Sequence, residues 1–287
     1  MRDRKCEKRA EAAAKKINQR LVTRGTKIGI VLGTGWGDLL PLERKRELEF
    51  AEIPGFTELR ELPGHARRVA AGEVGGVPVV ALRGRIHLNE APVSRRLAEM
   101  ARLQIEMLLK TGVDTLILTC AAGSVNYPPG IGDVCVVDGF VTLFAPEMPL
   151  YAGEFCSPED TLDRGLLQLA LEAGRQIPLD RRDVPQGERP FVCRGGHAMV
   201  RGPFFEGRRY DKNFLAQTGA RVVGMSVLPE ACVAALYPGT RVLALAFVTN
   251  GPSEVHSHEE NLARSKAAAA TLGGYLQDII TKIKSTS

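Results

Sequence analysis

The sequence has little net charge, few aromatic residues and no long apolar run. Its 38 basic residues nearly balance 33 acidic ones over 287 positions, which leaves a formal net charge of +5. Hydrophobic residues make up 44% of the chain, whereas a disordered chain has fewer of them and more net charge per residue. The composition therefore excludes a disordered protein and predicts a substantial core.

Neither a membrane helix nor a secretory signal is visible in the hydrophobic pattern. The longest unbroken apolar run, residues 242–248, is about a third of the length that a membrane-spanning helix needs. Residues 1–9 are rich in charge, and neither an apolar segment nor a small-residue cleavage site follows them. We therefore expect a protein that has no membrane segment and is not secreted.

Cysteines and aromatic residues are too sparse to indicate a disulfide framework or a nucleic-acid surface. The six cysteines, at positions 6, 120, 135, 156, 193 and 232, are scattered and include no Cys-x-x-Cys pair. This spacing predicts free thiols in a reducing cytoplasm. Basic residues interleave with acidic ones, and only 6% of the residues are aromatic, so the small positive excess indicates a solvated surface.

Apolar runs that alternate with amphipathic segments predict an α/β fold. Each predicted strand is a continuous apolar run, which favours a mainly parallel sheet that helices cover on both faces. Strands are predicted at residues 27–32, 77–82, 115–119, 134–143, 221–225 and 241–249, and helices at 7–21, 93–110, 162–174, 205–217, 228–236 and 258–282.

The domain organisation predicted from this pattern is simple. Residues 1–26 form an N-terminal helical segment, and residues 27–287 form one domain, because no linker-like stretch or internal repeat interrupts them. Residues 145–160 carry three prolines and no clear period. A loop this long inside a compact domain is usually functional.

Unusual residues fall just past the carboxyl ends of the predicted strands. Thr34, Arg85, the small-residue turn 120–123, Met225-Ser226 and Asn250 all lie at such positions. Because open α/β sheets bind ligands at this edge, we expect these residues to share one site.

The glycine loop and the basic pair after it suggest an anion site. Residues 33–37 read Gly-Thr-Gly-Trp-Gly, so backbone amides and a threonine hydroxyl could face an anion. The loop lacks both the Rossmann glycine spacing and the Gly-Lys-Ser/Thr of a P-loop, and a plain turn fits it equally well. Arg85 and His87 are two residues apart and share a face. His256 and His258 have no third ligand at matching spacing, which is poor evidence for a metal site.

Three further elements are compatible with a flat heterocyclic ligand or with ordinary packing. Phe205 and Glu206 at a helix start could stack on a ring and accept its N–H, or they could belong to the core and complement the helix dipole. Met225 and Ser226 could line a ligand site, or pack in the core and cap a helix. The small residues 121–124 would let a ligand approach the backbone closely.

A series of short motifs, taken in order, carries a resemblance to a known family. From residue 27 to the terminal helix, this set resembles the trimeric purine nucleoside phosphorylases. The resemblance implies a single domain with a mixed, largely parallel sheet flanked by helices. It also implies reversible phosphorolysis of purine ribonucleosides or deoxyribonucleosides, foremost inosine and guanosine, with phosphate as co-substrate and no metal or organic cofactor. The motifs are residues 33–35, 63–66, 84–87, 119–123, 202–206, 223–226, 229–230, 249–250 and 258–260.

The resemblance also implies a role for each matching residue. Asn250, Glu206 and His87 would be catalytic, with Asn250 and Glu206 reading the base. Phosphate would be held by Thr34, Arg85, His87, the backbone of Ala121 and Ser226. The nucleoside would contact Phe205, Glu206, Met225, Asn250, His258, Asn89, Ala122, Gly123 and, from a neighbouring subunit of a homotrimer, Phe155.

Four positions depart from the family pattern and leave the substrate open. Asn89 and His197 stand where the family commonly has a tyrosine near the sugar. Cys120 replaces an asparagine of the pattern, and Gly251 replaces a lysine. Phosphorolysis of 5′-methylthioadenosine and a weakly active nucleoside-binding homologue are therefore kept as alternatives. A dinucleotide-binding protein is disfavoured because the glycine spacing is wrong.

Overall fold

A nine-stranded mixed sheet lies at the centre of the computed structural model, which describes residues 3–21, 23, 25–37, 40–56, 66–90, 94–151, 153–177, 191–200, 202, 206–207 and 209–286. The strands are β1 (Ile28–Leu32), β2 (Glu43–Glu49), β3 (Arg68–Val74), β4 (Val77–Arg83), β5 (Thr115–Ser124), β6 (Val134–Val141), β7 (Val192–Met199), β8 (Ala220–Gly224) and β9 (Arg241–Asn250). Parallel pairs join β1 to β4 and β5, β5 to β9, and β7 to β6 and β8, and the other pairs are antiparallel. The predicted mixed α/β sheet is confirmed.

Half of this sheet closes on itself. The strand order is β2-β3-β4-β1-β5-β8-β7-β6-β9, and β9 pairs with β5 as well as with β6. Strands β5, β8, β7, β6 and β9 therefore form a ring. Gly123 of β5 is in register with Val223 of β8 and Asn250 of β9, so the ends of three strands meet at one rim.

Seven helices in the described chain cover the two faces of the sheet. They are α1 (Arg4–Leu21), α2 (Arg95–Lys110), α3 (Arg164–Arg175), α4 (Asp211–Gln217), α5 (Leu228–Ala235), α6 (His258–Ala267) and α7 (Ala269–Thr286). Alternate residues of β1 belong to different apolar clusters: Val31 packs with α1, α2 and α5, and Ile30 with α3 and α7. None of the described helices is both long and apolar enough to cross a bilayer.

Helix α1 contributes to the same core as the sheet. Its apolar stripe includes Ala10, Ala13, Ile17 and Leu21, all buried in the cluster that contains Val31. The N-terminal helix therefore packs against the rest of the fold. The domain boundary at residue 26 stays a prediction.

Three strands were missing from the sequence prediction, and β2 shows why. Its sequence is ERKRELE, and only Leu48 is buried, because β2 lies at the edge of the sheet and pairs with β3 alone. The prediction that every strand is a continuous apolar run is therefore wrong. An edge strand with a solvated face does not need a long apolar run.

Two predicted helices differ from the structure. The helix expected at 205–217 begins only at Asp211, whose carboxylate accepts the Gly207 N–H at 2.7 Å. The single terminal helix expected at 258–282 is two helices, α6 and α7, separated at Ala268. Gly112, just after α2, has a φ of +107°, which glycine adopts readily.

Candidate active site

A cavity of about 500 Å³ lies at the rim where β5, β8 and β9 end. Ends of neighbouring strands bring together residues that are far apart in sequence. Every described residue predicted for the site lines this cavity, except Phe155. These lining residues are Thr34, Arg85, His87, Asn89, Ala121, Ala122, Gly123, Glu206, Met225, Ser226, Asn250 and His258.

Arg85 lies at the end of the cavity predicted to hold phosphate. It follows β4, and its guanidinium is buried with two fixed contacts. Nη1 donates to Glu230 Oε1 at 2.6 Å, and Nη2 donates to the carbonyl oxygen of Thr119. Glu230, from the first turn of α5, thus orients the guanidinium before any anion arrives.

The glycine loop after β1 packs tightly instead of presenting all its amides. The Gly33 N–H donates to Thr119 Oγ1 at 3.1 Å, so it does not face an anion. The Trp36 indole N–H donates to the carbonyl of Cys120 at 3.1 Å. Gly35 has a φ of +81°, and a Cβ there would lie 2.1 Å from Ser265 Cβ. The loop therefore places Thr34 at the cavity through packing under α6.

Gly33→Ala should weaken phosphate use. A Cβ at Gly33 would lie 2.5 Å from the Thr119 carbonyl oxygen and 2.6 Å from Arg85 Nη2, so the bond between this carbonyl and Arg85 is disturbed. We expect KM for phosphate to rise at least about tenfold, the size of one lost charge-assisted hydrogen bond. The matched control is Gly37→Ala, because a Cβ at Gly37 has no atom within 4 Å. Equal phosphate KM values in both variants would contradict the assignment.

His87 is held by a carboxylate from its own loop. The backbone N–H of His87 donates to Glu90 Oε1 at 2.8 Å, and Glu90 Oε2 accepts a hydrogen bond from Arg67. Arg67 is nearly buried. This chain of contacts fixes the turn that carries His87 next to Arg85.

Ser226 reaches the cavity through a strained turn. The residue before α5 is Val227, with a φ of +76°, so the alternative interpretation of Ser226 as the cap of this helix is wrong. A β-branched residue rarely adopts a positive φ, and such strain concentrates at functional sites. Ser226 also contacts Cys120, a thiol whose pKa is raised to about 12 by burial.

Asn250 and Glu206 meet beside Gly123, which lies further along β5 than the Thr119 carbonyl that Arg85 contacts. A Cβ at Gly123 would lie 2.6 Å from Asn250 Nδ2 and 2.9 Å from Glu206 Oε1. Thr249 Oγ1 donates to Asn250 Oδ1 at 3.2 Å. Within the described ranges, the buried Nδ2 of Asn250 has no hydrogen-bond acceptor. This end therefore presents one donor and one carboxylate side by side above a glycine.

The segment after β9 is fixed by an arginine of α6. Arg264 donates to the Thr249 carbonyl at 2.6 Å and pairs with both oxygens of Glu254. Glu254 in turn accepts the Gly251 N–H at 2.9 Å. A Ser257–Glu260 capping box starts α6, and the exposed His258 is the first residue of this helix.

Two residues that line the cavity, Asn89 and Met225, crowd together at Gly202. Asn89 Oδ1 accepts the Gly202 N–H at 3.4 Å. A Cβ at Gly202 would lie 2.5 Å from Asn89 Nδ2 and 2.7 Å from Met225 Sδ. Asn89 and Met225 thus meet at one point of the cavity lining.

Comparisons with known proteins agree with this fold. A family model described as the phosphorylase superfamily matches residues 27–281. The purine nucleoside phosphorylase of Mycobacterium tuberculosis is 30% identical over 95% of this chain and 96% of its own, and that of Rattus norvegicus is 29% identical over 89% of each. A Schistosoma mansoni isoform 2 purine nucleoside phosphorylase, solved with cytosine and ribose-1-phosphate, is similar with a TM-score of 0.79 and 29% identity over 96% of each chain.

The chain belongs to the purine nucleoside phosphorylase family. Two of its departures from the family pattern lie at or next to the cavity. Asn89 lines the cavity, whereas His197 lies behind it, with Nε2 3.0 Å from a Cβ at Gly224. Burial lowers the His197 pKa to about 4, so its ring is neutral at pH 7. Neither ring nitrogen has a hydrogen-bond partner in the part of the chain that the structure describes.

Two residues at or beside the cavity were not predicted for this site, and His256 was considered only as a metal ligand. His256 lines the cavity, and burial lowers its pKa. Lys212 pairs with Glu206 and donates to the carbonyl of Gly251. The lysine that the pattern places at 251 is thus absent, but another lysine reaches this backbone. The sequence pointed to Lys212 only by its position six residues after Glu206.

Two predicted site residues lie outside the cavity or outside the described chain. Phe155 is 91% exposed and does not line the cavity of its own chain. Phe205 and residues 63–65 lie outside the described residues. All six cysteines carry free thiols, as predicted.

Proposed function

We propose that this protein catalyses reversible phosphorolysis of purine ribonucleosides or deoxyribonucleosides, with inosine and guanosine as its preferred substrates. The products are the free purine and ribose or deoxyribose 1-phosphate. Family membership supports the reaction class. The Schistosoma mansoni relative, solved with ribose-1-phosphate, supports the sugar product.

The donor and carboxylate above Gly123 carry the preference for 6-oxopurines. A 6-oxopurine presents an N–H at position 1 and acceptors at N7 and the 6-oxygen. Glu206 can accept the N–H, and Asn250 Nδ2, which lacks an acceptor within the described chain, can donate to the base. Adenine presents an acceptor at position 1, which a carboxylate repels.

Phosphate is assigned to the other end of the cavity. Its proposed ligands, which all line the cavity, are Thr34, Arg85, His87, Ser226 and the backbone of Ala121. Breaking the glycosidic bond creates an oxocarbenium-like sugar and a purine anion, which phosphate and the base-end donor stabilise. Phosphate is both nucleophile and counter-charge, so no side-chain nucleophile is needed. His87 would orient it.

The sugar lies between these ends in the proposed complex. Met225 is placed under the ribose, Asn89 and the small residues Ala122 and Gly123 beside it, and His258 at the 5′-hydroxyl. We propose inorganic phosphate as the only co-substrate, without a metal or an organic cofactor. Cytoplasmic localisation stays a prediction.

A substrate panel tests the proposal. Inosine, guanosine, adenosine and 5′-methylthioadenosine are assayed with and without phosphate, and release of the base is measured. We expect phosphate-dependent turnover that is fastest with inosine or guanosine. Faster turnover of methylthioadenosine would assign the protein to that reaction instead. Tight nucleoside binding with negligible turnover would indicate a weakly active homologue, and neither binding nor turnover would refute the function.

Phe155 is the residue by which a homotrimer would complete the sugar pocket. Its exposed ring follows Glu154, which is tied to α2 through Arg102. We expect Phe155→Ala to raise KM for inosine about tenfold, the effect of losing one aromatic contact, with phosphate KM unchanged. The control is Phe144→Ala, a partly exposed ring that does not line the cavity. This role would be contradicted if the wild-type protein sediments as a monomer and is active in that form.

A further inference from the structure

Lys212 is a buried cation that the reaction described above does not use. It lies in the first turn of α4, is 1% exposed, and does not line the cavity. Burying an ammonium is costly unless it is paired and hydrogen-bonded. Its position therefore needs a reason that a surface lysine would not.

Both described contacts of the Lys212 ammonium lead to the base end of the cavity. Nζ lies 3.2 Å from Glu206 Oε1 and donates to the Gly251 carbonyl at 2.8 Å. Gly251 directly follows Asn250. One ammonium thus joins the proposed base acceptor to the backbone that carries the proposed base donor.

We propose that Lys212 is the positioning residue that makes the base end selective for purines with an N–H beside a carbonyl, by holding the Glu206 carboxylate against Asn250. This inference rests on the proposed function. Lys212 acts through Glu206 and does not touch the base itself.

The distances explain how such selectivity arises. Glu206 Oε1 and Asn250 Nδ2 both lie within 3 Å of the point where a Cβ of Gly123 would be. A glutamate side chain has several rotamers, and the bond from Lys212 selects the one that faces Asn250. Without that bond, the carboxylate turns away and no longer discriminates between an N–H and a bare ring nitrogen.

The surroundings leave Lys212 no competing task. Burial lowers its pKa, while attraction to Glu206 and Glu254 opposes that shift. Glu254 is itself paired with Arg264 through both oxygens. Glu206 is therefore the carboxylate to which the Lys212 ammonium is bonded in the described chain.

The test is the ratio of kcat/KM for inosine to kcat/KM for adenosine in Lys212→Met, which keeps the apolar stem and removes the cation. We expect kcat/KM for inosine to fall about 10–100-fold, the size of one hydrogen bond to a charged group. The kcat/KM for adenosine and the KM for phosphate should each change less than about threefold, so the inosine-to-adenosine ratio falls sharply. An equal fall for both nucleosides would overturn the proposal.

A double-mutant cycle separates positioning from stability. Glu206→Gln should lower the ratio similarly, and adding Lys212→Met to it should lower the ratio little further, because the two residues act as one unit. If the two substitutions lower the ratio independently, so that their fold effects multiply in the double variant, the proposal is overturned. Lys110→Met is the matched control, since Lys110 pairs with Glu7 and Glu11 away from the cavity.

Folding and the proposed function are checked separately. Far-UV circular dichroism establishes that each variant folds, and Lys212→Gln replaces Lys212→Met if the latter does not fold. Failure of both to fold would assign Lys212 to stability and overturn the proposal. A wild-type protein without phosphate-dependent turnover refutes the proposed function, whereas a wild-type protein with turnover and a variant with unchanged selectivity refutes only this inference.

Discussion

Replacing Asn250 by alanine should lower kcat for inosine about 10²–10³-fold, the usual cost of removing one preorganised donor to a developing anion. The side chain is 2% exposed, its Oδ1 accepts from Thr249, and its Nδ2 faces the cavity above Gly123. The bond with Thr249 orients the amide, so the donor needs no reorganisation when the purine leaves as an anion. Single-turnover kinetics with saturating phosphate measures the effect.

Phosphate binding and an isosteric variant make this result specific. Calorimetric affinity for phosphate should change less than about threefold in Asn250→Ala, because Arg85 contacts β5 at Thr119 whereas Asn250 is in register with Gly123. Asn250→Asp keeps the shape and turns the donor into an acceptor, so turnover should shift from inosine towards adenosine. Equal losses of turnover and phosphate affinity would remove the assigned role.

Replacing Arg102 by methionine should lower the free energy of unfolding by about 3–5 kcal/mol, because it leaves buried carboxylates without their cation. Arg102 is fully buried in α2, where Nε donates to Glu106 Oε1 and Nη2 to Glu154 Oε1, both at 2.9 Å. Burial opposes its charge, but the bonds to Glu154 and Glu106 outweigh burial and raise its pKa. Urea denaturation followed by circular dichroism measures the loss.

Two further variants distinguish this cluster from ordinary surface charge. Arg95→Met removes an exposed arginine of the same helix, which lies 3.5 Å from Glu99, and should cost less than about 1 kcal/mol. Adding Glu154→Gln to Arg102→Met should restore part of the loss, because one fewer carboxylate is buried without its partner. A small loss in Arg102→Met would show that water reaches the carboxylates.

Much of the site was predictable because parallel strands end at the same edge of a sheet. Arg85, Ala121 and Asn250 were visible as unusual residues after apolar runs, and the structure brings them to one cavity. Their contacts were less accessible. The Gly33 N–H donates to the side chain of Thr119, which belongs to another strand. Only the register of β1 against β5 brings these two residues together.

The sequence did not reveal which charged side chains are buried in the fold. Arg102 is on a helix that reads as amphipathic, and Lys212 is in the short segment DKNFLAQ, where a lysine usually faces solvent. Their partners, Glu154 and Glu206, are on other elements, and Gly251 supplies only a backbone carbonyl. No local period predicts such pairs, because each depends on how distant segments pack.

The charged edge strand β2 has a consequence for how copies of this protein meet. Within the described sheet, the ring strands β5 to β9 have neighbours on both sides, so β2 is the strand left with an unpaired side. Unpaired strand edges invite pairing with another chain, and charged side chains discourage it. Glu43, Arg44, Lys45, Arg46 and Glu47 are therefore suited to keep crowded molecules from aggregating edge to edge.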